Sequence, residues 1–362
     1  MTSKADILKV LIVNDYSLLE GGAERFIENM LLEASHLPLA FTRINMADLL
    51  QQKGHILPMG KWKYRLCSIR LFPDIVNDLL NRIKSIRPDL IHLNTCHLYT
   101  RSVCRALRQS GIPVACFVHD YYTLRRLRSL WMRGESKTFI YLTHAQDIHA
   151  RLLDEGLPSY LVRVPFNPSC WSGNSHDALD TYHFDLLYVG RLKREKGLFT
   201  LVQAVDLIRR QLPEISLAIL GDGPCHHDLV ADVRNRGLES NIKIKGRQPD
   251  TEIIKYYQNA RLVVLPSRQE TLGYVGLEAQ ASGIPVMAFR NSGTDRWCKD
   301  GINGFLVDTH TPEKLAEKVV EIIRDDVILR RISKTAREDI RLEAYNASQQ
   351  PITDLYKAML SW

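Results

Sequence analysis

The sequence lacks the long apolar runs of a chain that spans a membrane. Its longest runs, such as ARLVVLPS and ISLAILGDG, are far shorter than the roughly 20 residues that a membrane helix needs. The N-terminal stretch MTSKADILKVLIVND enters a strand-like run at once and has the pattern of neither a secretory nor a transit peptide. We therefore expect a cytoplasmic protein, with a peripheral position at the inner face of the membrane as an open alternative.

Paired cysteines are also missing from the sequence. The seven cysteines are an odd number, and none of them stands in a C-x-x-C pair. This pattern is typical of reduced thiols in a protein core and argues against a disulfide framework or a zinc knuckle. Low-complexity tracts and internal repeats are absent as well, which excludes repeat architectures.

Negative charge is scarce between residues 61 and 134, where fourteen Lys and Arg stand against four Asp and Glu. The whole chain has a net charge of +7, so the rest of it is slightly acidic. Solvated helix faces would explain this basic window, and so would a surface for membrane headgroups or a lipid-linked phosphate. We expect no nucleic-acid partner, because no recognised binding module accompanies the charge. The candidate anion contacts are Lys61, Lys63, Arg125, Arg126 and Arg128.

Short apolar runs rich in β-branched residues alternate with helix-length amphipathic segments. Twelve such runs, six in each half of the chain, are candidate strands, and many are apolar on both faces. That pattern favours parallel sheets covered by helices on both sides. A polar stretch without periodicity, residues 168–183, is the predicted interdomain linker. We predict an α/β protein in which two doubly wound, Rossmann-like domains, residues 1–167 and 184–345, face each other across a cleft.

Glycines and cations follow two of the candidate strands, where a βαβ protein places its ligands. Gly21 and Gly22 follow the first strand and would let a ligand approach the backbone. Arg191 and Lys196 follow the run HFDLLYVG and would present two cations to a diphosphate. A glycine turn that only closes a strand–helix junction, and a basic surface loop, are the respective alternatives.

Two glutamates, Glu270 and Glu278, stand eight positions apart in the apolar stretch PSRQETLGYVGLEAQASGIPV. Glu270 falls in the loop after a buried strand, where the backbone N–H groups of Leu272 and Gly273 open a helix and form a seat for an anion. Glu278 lies about five residues into that helix. A sugar, a diphosphate and a ribose in line would suit this arrangement. A capping acid together with a core salt bridge is the alternative.

These motifs make the sequence similar to the retaining GT-B glycosyltransferases of family 4 along nearly its whole length. The E-x7-E pattern together with the upstream R-x4-K loop is the specific part of the resemblance. The motifs that carry it are GGAE (21–24), RPDLIHLN (87–94), FVHD (117–120), YVGRLKREKG (188–197), GDGP (221–224), ETLGYVGLE (270–278) and DGINGFLV (300–307).

The resemblance implies that a hexose-type sugar moves from a UDP- or GDP-sugar to an acceptor hydroxyl with retention of configuration. Surface polysaccharide, lipopolysaccharide or glycolipid synthesis is the expected setting. Arg191 and Lys196 would hold the diphosphate of the donor, and Glu278 would hold the ribose hydroxyls. Glu270, with the amides of Leu272 and Gly273 beside it, would hold the transferred sugar.

In the first domain, the resemblance places His119 near the sugar at the reaction centre, and Gly22 against the diphosphate. It also implies a closing helix, at about residues 346–362, that packs back on this domain. No D-x-D sequence occurs, so we expect no cofactor and no dedicated metal clamp. The departing phosphate would then be stabilised by protein cations and helix-end amides and would take the proton of the acceptor.

Two segments depart from the family pattern. The usual G-G-x-P-E turn appears as RNSGTDRWCKDG, in which only Gly293 is placed as expected, and Pro168 replaces a glycine before the linker. Other functions on the same scaffold stay open: a sugar-nucleotide epimerase, a phosphorylase, or a non-catalytic protein that binds sugar nucleotides.

Overall fold

The chain forms two compact units, each of which contains one parallel sheet. A computed structural model describes residues 7–14, 22–52, 73–94, 101–130, 139–162, 164–171, 184–341 and 352–360. Unit 1 consists of Met1–Phe166 with Ser348–Trp362, and unit 2 consists of Asn167–Ala347.

Unit 1 has a six-stranded parallel sheet in the order β2-β1-β3-β4-β5-β6. The strand order reverses its direction between β1 and β3, as in flavodoxin-like sheets. The strands are β1 Leu8–Asn14, β2 Leu39–Asn45, β3 Leu90–Leu93, β4 Val114–Phe117, β5 Phe139–Thr143 and β6 Ser159–Leu161. The helices of this part of the chain are α1 Gly22–Glu33, α2 Met46–Gln52, α3 Pro73–Ile86, α4 Arg101–Gln109, α5 Tyr121–Leu130 and α6 Gln146–Asp154.

Unit 2 has a second six-stranded parallel sheet, in the order β12-β11-β10-β7-β8-β9. This is the Rossmann order, and its direction reverses between β7 and β10. The strands are β7 Phe184–Val189, β8 Leu217–Leu220, β9 Ile242–Gly246, β10 Ala260–Leu265, β11 Val286–Phe289 and β12 Phe305–Val307. The helices are α7 Leu198–Ile208, α8 His226–Asn235, α9 Asp250–Gln258, α10 Tyr274–Ala281, α11 Pro312–Ile322 and α12 Asp326–Arg341; α13, Ile352–Met359, belongs to unit 1.

Burial of the strands explains why the sequence predicts parallel sheets. The central strands β3, β4, β8 and β11 are buried at every position, because helices cover both faces of the sheet. The edge strand β2 is buried at one position only. All twelve predicted strands are present, and the prediction of two doubly wound parallel sheets is confirmed.

The predicted linker begins as packed structure within unit 2. Residues Pro168–Cys170 form a 3₁₀ turn, which the side chain of Asn167 caps by accepting a bond of 3.0 Å from the amide of Ser169. Trp171 is buried and lies edge-on to Tyr257, with ring centroids 6.1 Å apart. Pro168 therefore begins a 3₁₀ turn at the position where the family that the sequence resembles has glycine.

The closing helix α13 is anchored in unit 1 by a buried polar contact. The hydroxyl of Tyr356 bonds to Nδ1 of His92 on β3, and it lies 3.5 Å from Sδ of Met30 on α1. All three side chains are fully buried. Because burial penalises the charged form, it lowers the pKa of His92 to about 3.

Burial of His92 predicts that unit 1 loses stability in mild acid. An unfolded chain protonates His92 below about pH 6.5, whereas the folded chain keeps it neutral down to about pH 3. The stabilisation is therefore complete above pH 6.5 and falls by about 1.4 kcal/mol for each pH unit between these limits. We expect His92→Gln to flatten the decline of the free energy of unfolding by that amount, measured by urea titrations at pH 7, 5.5 and 4.5.

An exposed histidine provides the control for this measurement. His227 lies on α8 and is exposed, so His227→Gln is expected to keep the wild-type dependence of stability on pH. Equal slopes for the wild type and His92→Gln would show that His92 does not resist protonation in the folded chain.

Candidate functional site

The loops after β7 and β10 meet where the strand order of the second sheet reverses. Ligands of open α/β sheets bind at the carboxyl ends of strands at such a point. Gly197, in the first loop, has a φ of +72°, and a Cβ atom there would lie 1.9 Å from the carbonyl oxygen of Pro266 in the second. Only glycine permits this approach, so the two loops form one continuous surface.

Lys196 and Glu270 form an ion pair across these two loops. Nζ of Lys196 lies 2.6 Å from Oε1 of Glu270, and the two side chains retain 29% and 15% of their exposure. The family resemblance assigns these residues to different parts of one ligand, whereas the structure shows the two side chains in direct contact. A cation and a carboxylate thus stand together at the carboxyl ends of two adjacent strands.

Glu278, the second glutamate of the pair, is buried on α10. Its side chain is 3% exposed, and its Oε2 accepts a hydrogen bond of 3.3 Å from the hydroxyl of Tyr257. The helix begins after Gly273, which has a φ of +81°, and ends before Gly283, which has a φ of +79°. The helix therefore begins where the sequence predicts. Tyr257 stands in the helix α9 and carries no sequence signal for this contact.

Tyr188, on β7, contacts the loop that follows this strand and carries Arg191 and Lys196. It is not among the site residues predicted from the sequence. Its hydroxyl donates to the carbonyl oxygen of Arg191 over 3.1 Å, and the side chain of Arg191 is exposed. Burial raises the pKa of Tyr188 well above its usual range, and the nearby carboxylates of Glu270 and Glu195 raise it further. The hydroxyl therefore stays neutral and keeps its proton for the backbone of Arg191.

The turn after β11 hydrogen-bonds the loop after β10, which carries Glu270, and packs against it. The side chain of Asn291 donates to the carbonyl oxygen of Ser267 over 3.2 Å, and its Oδ1 accepts from the amide of Gly293 over 3.1 Å. A Cβ atom on Gly293 would lie 2.4 Å from the carbonyl oxygen of Glu270. This turn departs from the family pattern, yet the one glycine it keeps lies directly against Glu270.

Trp297 makes a further hydrogen bond, to the segment that leads into α10. Its Nε1 donates to the carbonyl oxygen of Leu272 over 2.6 Å, and the indole is buried. A Cβ atom on Gly276 would lie 2.2 Å from the indole ring. The tryptophan therefore fixes the segment whose amides are the predicted anion seat. No pattern in the sequence of this turn predicts a role for Trp297.

A polar cluster stands at the reversal of the first sheet, between β1 and β3. Asn14 ends β1, Asn94 follows β3 and His119 follows β4, and all three are buried. Nε2 of His119 lies 2.7 Å from Oδ1 of Asn94. The amide of Asn94 donates to Oδ1 of Asn14 over 3.1 Å and to the carbonyl oxygen of Ala23 over 3.0 Å. Of these three residues, only His119 is a site residue predicted from the sequence.

Aromatic rings hold the imidazole of His119 from the sides. Phe117 is stacked on it with centroids 4.2 Å apart, and Phe26 of α1 meets it edge-on at 5.3 Å. The neighbouring Asp120 accepts a bond of 2.7 Å from the amide of Thr123 and so caps α5. The histidine is therefore an ordered, buried group at a strand end.

The other predicted site residues are only partly described. Gly22 is the first residue of α1, and Arg125 is exposed on α5. Outside the described residues lie Gly21, Lys61, Lys63 and the side chains of Arg126 and Arg128. Among the helices that the structure describes, none has the length and hydropathy to cross a membrane. In the same ranges, His, Cys, Asp and Glu form no group of three or more that could hold a metal ion.

Two curated relatives match about half of the chain. The D-inositol 3-phosphate glycosyltransferase of Corynebacterium glutamicum (strain R) is 32% identical over 175 residues, 47% of this chain and 42% of that protein. The lipopolysaccharide core biosynthesis glycosyltransferase LpsE of Rhizobium meliloti (strain 1021) is 30% identical over 176 residues, 49% of each chain. This chain thus spans less than half the length of either relative.

The fold matches solved glycosyltransferase structures over nearly the whole chain. The crystal structure of Anabaena HepE in complex with UDP-glucose has a TM-score of 0.71, is 18% identical and covers 98% of both chains. At this identity the likeness shows the fold, and the predicted GT-B class with two Rossmann-like domains is confirmed. Residues 177–339, which hold both loops at the reversal of the second sheet, match the family model described as Glycosyl transferases group 1.

Proposed function

We propose that the chain transfers a hexose-type sugar from a UDP- or GDP-sugar to an acceptor hydroxyl, with retention of configuration at the anomeric carbon. The observation that carries this proposal is the ion pair of Lys196 and Glu270, 2.6 Å long, at the reversal of the second sheet. The pair lies inside the segment that matches the family model. A structural neighbour with this fold binds UDP-glucose.

Each group at the two loops has a part in holding the donor. Lys196 and Arg191 bind the diphosphate as cations, and the amides of Leu272 and Gly273 at the start of α10 add oriented N–H donors. Glu270 accepts hydrogen bonds from hydroxyls of the transferred sugar. These groups share one surface because the loops after β7 and β10 are in contact.

Glu278 binds the ribose hydroxyls of the donor in this proposal. A carboxylate accepts two hydroxyl donors at once, which suits a vicinal diol. The hydroxyl of Tyr257 bonds Oε2 of Glu278 over 3.3 Å and orients the carboxylate. The buried position of Glu278 then has a functional reason, since an isolated buried carboxylate is costly.

Transfer with retention requires the acceptor to approach on the face from which the diphosphate leaves. The acceptor oxygen forms a bond to the anomeric carbon as the bond from that carbon to the phosphate oxygen breaks. The departing phosphate takes the hydroxyl proton of the acceptor. The charge that develops on it is stabilised by Lys196, Arg191 and the start of α10, so we propose that no resident metal or cofactor is needed. His119 contacts the sugar.

A thermal-shift panel of sugar nucleotides tests the proposal. A donor present at about 100 times its Kd stabilises the chain by about 2.7 kcal/mol, which raises the melting temperature by several degrees. Nucleotides that stabilise the chain are then assayed for transfer to glycan and lipid-linked acceptors, with NMR of the product to assign the anomer. If no UDP- or GDP-sugar stabilises the chain, the proposal is wrong.

The same panel separates the alternative functions. An epimerase would convert the donor without an acceptor. A phosphorylase would require phosphate and a pyridoxal cofactor on a lysine, which an absorbance band would reveal. A binding protein would be stabilised without turnover.

An anionic membrane surface or lipid-linked acceptor is the proposed partner of the basic window. Arg125 is exposed on α5, and each cation near an anionic bilayer adds about 1 kcal/mol. We expect charge reversal of Arg125, Arg126 and Arg128 to abolish sedimentation with phosphatidylserine vesicles at low salt. As control, charge reversal of Arg330, Arg331 and Lys334, exposed on α12, should preserve sedimentation. Unchanged sedimentation of the first variant would contradict the proposal.

A further inference from the structure

The amide of Asn94 has only one orientation that satisfies its partners. One of its two terminal atoms lies 3.0 Å from the carbonyl oxygen of Ala23. A carbonyl oxygen can only accept hydrogen bonds, so the atom that faces it must be the NH₂ group. The other terminal atom of Asn94, which faces His119, is therefore the oxygen.

That orientation decides which nitrogen of His119 carries a proton. Nε2 lies 2.7 Å from Oδ1 of Asn94, and an amide oxygen also only accepts. Nε2 must donate, so the neutral imidazole is the Nε2–H tautomer and Nδ1 holds the lone pair.

We propose that Asn94 is a positioning residue, which selects the tautomer and fixes the orientation of the His119 imidazole. This inference rests on the proposed function for the importance of His119, but the tautomer itself follows from geometry alone. Asn94 is well suited to the task, because it is fully buried and its NH₂ group is tied to β1 and α1 through Asn14 and Ala23. The wrong tautomer at a reacting histidine can cost several orders of magnitude in rate.

The titratable groups around the ring set the background for a test. His144, after β5, has its ring centroid 6.0 Å from that of His119. Asp120 is the next residue along the chain and caps α5. His92 on β3 stays neutral, because burial lowers its pKa to about 3. The side chain of Asn94 also hydrogen-bonds His92, which acts to raise the pKa of His92 against the larger effect of burial, so the signals of His92 are expected to change with residue 94 as well.

Two variants at position 94 separate tautomer control from a purely structural role. Asn94→Ala removes the acceptor, so the neutral His119 should become a mixture of tautomers. Asn94→Asp keeps an acceptor for Nε2 and adds a negative charge, although its second oxygen cannot donate to Asn14 or Ala23. His119 should keep the Nε2–H form, and its pKa should rise by about one unit or more. Nitrogen-15 NMR of histidine-labelled protein reports both properties, and loss of one signal set in His119→Gln assigns them.

Asn14→Ala is the matched control for these spectra. It removes one partner of the Asn94 amide but leaves Ala23 to orient it, so the tautomer should be preserved. Nε2–H signals that are identical in the wild type and Asn94→Ala would overturn the inference, and so would a wild type protonated at Nδ1 only. If Asn94→Ala does not fold, Asn94→Asp decides: a raised pKa with the tautomer retained supports the inference, and an unchanged titration rejects it.

Transfer kinetics connect the tautomer to the reaction. For Asn94→Ala we expect kcat to fall by roughly 5- to 100-fold with little change in the KM of the donor. For Asn94→Asp the acid limb of the pH–rate profile should move with the pKa of His119. If the His119 tautomer depends on residue 94 but the wild type transfers no sugar, the proposed function alone is rejected. If the chain transfers sugar but the NMR signals of His119 do not change in the variants at position 94, this inference alone is rejected.

Discussion

Lys196→Ala is expected to weaken binding of the nucleoside diphosphate by about 100-fold and to lower kcat/KM by at least as much. The charged amine contributes a charge-assisted hydrogen bond to an oxyanion in a partly buried place, and such bonds are worth about 1.5–3 kcal/mol. The side chain keeps 29% of its exposure, and Ala replaces it without forcing the backbone. Calorimetry with UDP and GDP, followed by initial-rate kinetics, measures both effects.

The neighbouring Arg194 offers a matched control for Lys196. It is a cation in the same 3₁₀ turn, but its side chain is 77% exposed and lies 3.9 Å from Asp228, at the limit of an ion pair. We expect Arg194→Ala to change affinity by less than about threefold, because exposed ion pairs contribute little. Near-normal binding and turnover in Lys196→Ala would show that this loop does not bind the diphosphate.

Glu270→Gln is expected to move binding and turnover in opposite directions. Glu270 lies 2.6 Å from the amine of Lys196, so a diphosphate must compete with the carboxylate for that cation. A neutral amide releases the amine, and we expect UDP or GDP to bind about fivefold more tightly. Turnover of the sugar donor should fall by about 100-fold or more, because a charged acceptor for the sugar hydroxyls is lost.

Glu195→Gln is the control for Glu270. Its carboxylate belongs to the loop after β7, like the amine of Lys196, but the side chain is 63% exposed and lies 3.7 Å from the amine of Lys193. Both the affinity for the nucleoside diphosphate and the turnover are expected to stay close to wild type. If Glu270→Gln instead loses affinity for the free nucleoside diphosphate in proportion to its loss of turnover, Glu270 acts on the diphosphate or the fold and not on the sugar.

The alternative for the two glutamates is a capping acid together with a core salt bridge, and the structure shows related contacts in a different arrangement. Glu270 does form a salt bridge, and Glu278 does have a buried partner. The bridge, however, lies at the reversal of strand order and keeps part of its exposure to solvent, whereas Glu278 and Tyr257 are buried within α10 and α9. A salt bridge that only supported the core would be expected below the sheet edge, away from the ends of the strands.

The local pattern of apolar and polar residues was sufficient to predict the strands and helices of this protein. Apolar runs of strand length, with helices between them, predict all twelve strands, since burial on both faces leaves a signal within each run. The strand-end position of Arg191, Lys196 and Glu270 follows from the same pattern. The start and stop of α10 are local as well, because Gly273 and Gly283 take φ values that favour glycine.

Partners across the sheet could not be predicted from one sequence. Asn94 stands in one of the sequence motifs, but the sequence does not predict its role, because its contact with His119 depends on β3 lying beside β4 and β1. Trp297 lies in a turn that departs from the family pattern, so its bond to Leu272 had no precedent in the sequence. A buried tyrosine such as Tyr188 is typical of any core until its hydroxyl is seen to hold the backbone of Arg191.

The sequence by itself determined the alternation of strands and helices and the chemistry available at the strand ends. Only the tertiary structure decided that Lys196 meets Glu270, a residue 74 positions away. The physical reason is strand order. The Rossmann arrangement places β7 next to β10 although two other strands separate them along the chain, and hydrophobic periodicity within a strand carries no information about which strand becomes its neighbour.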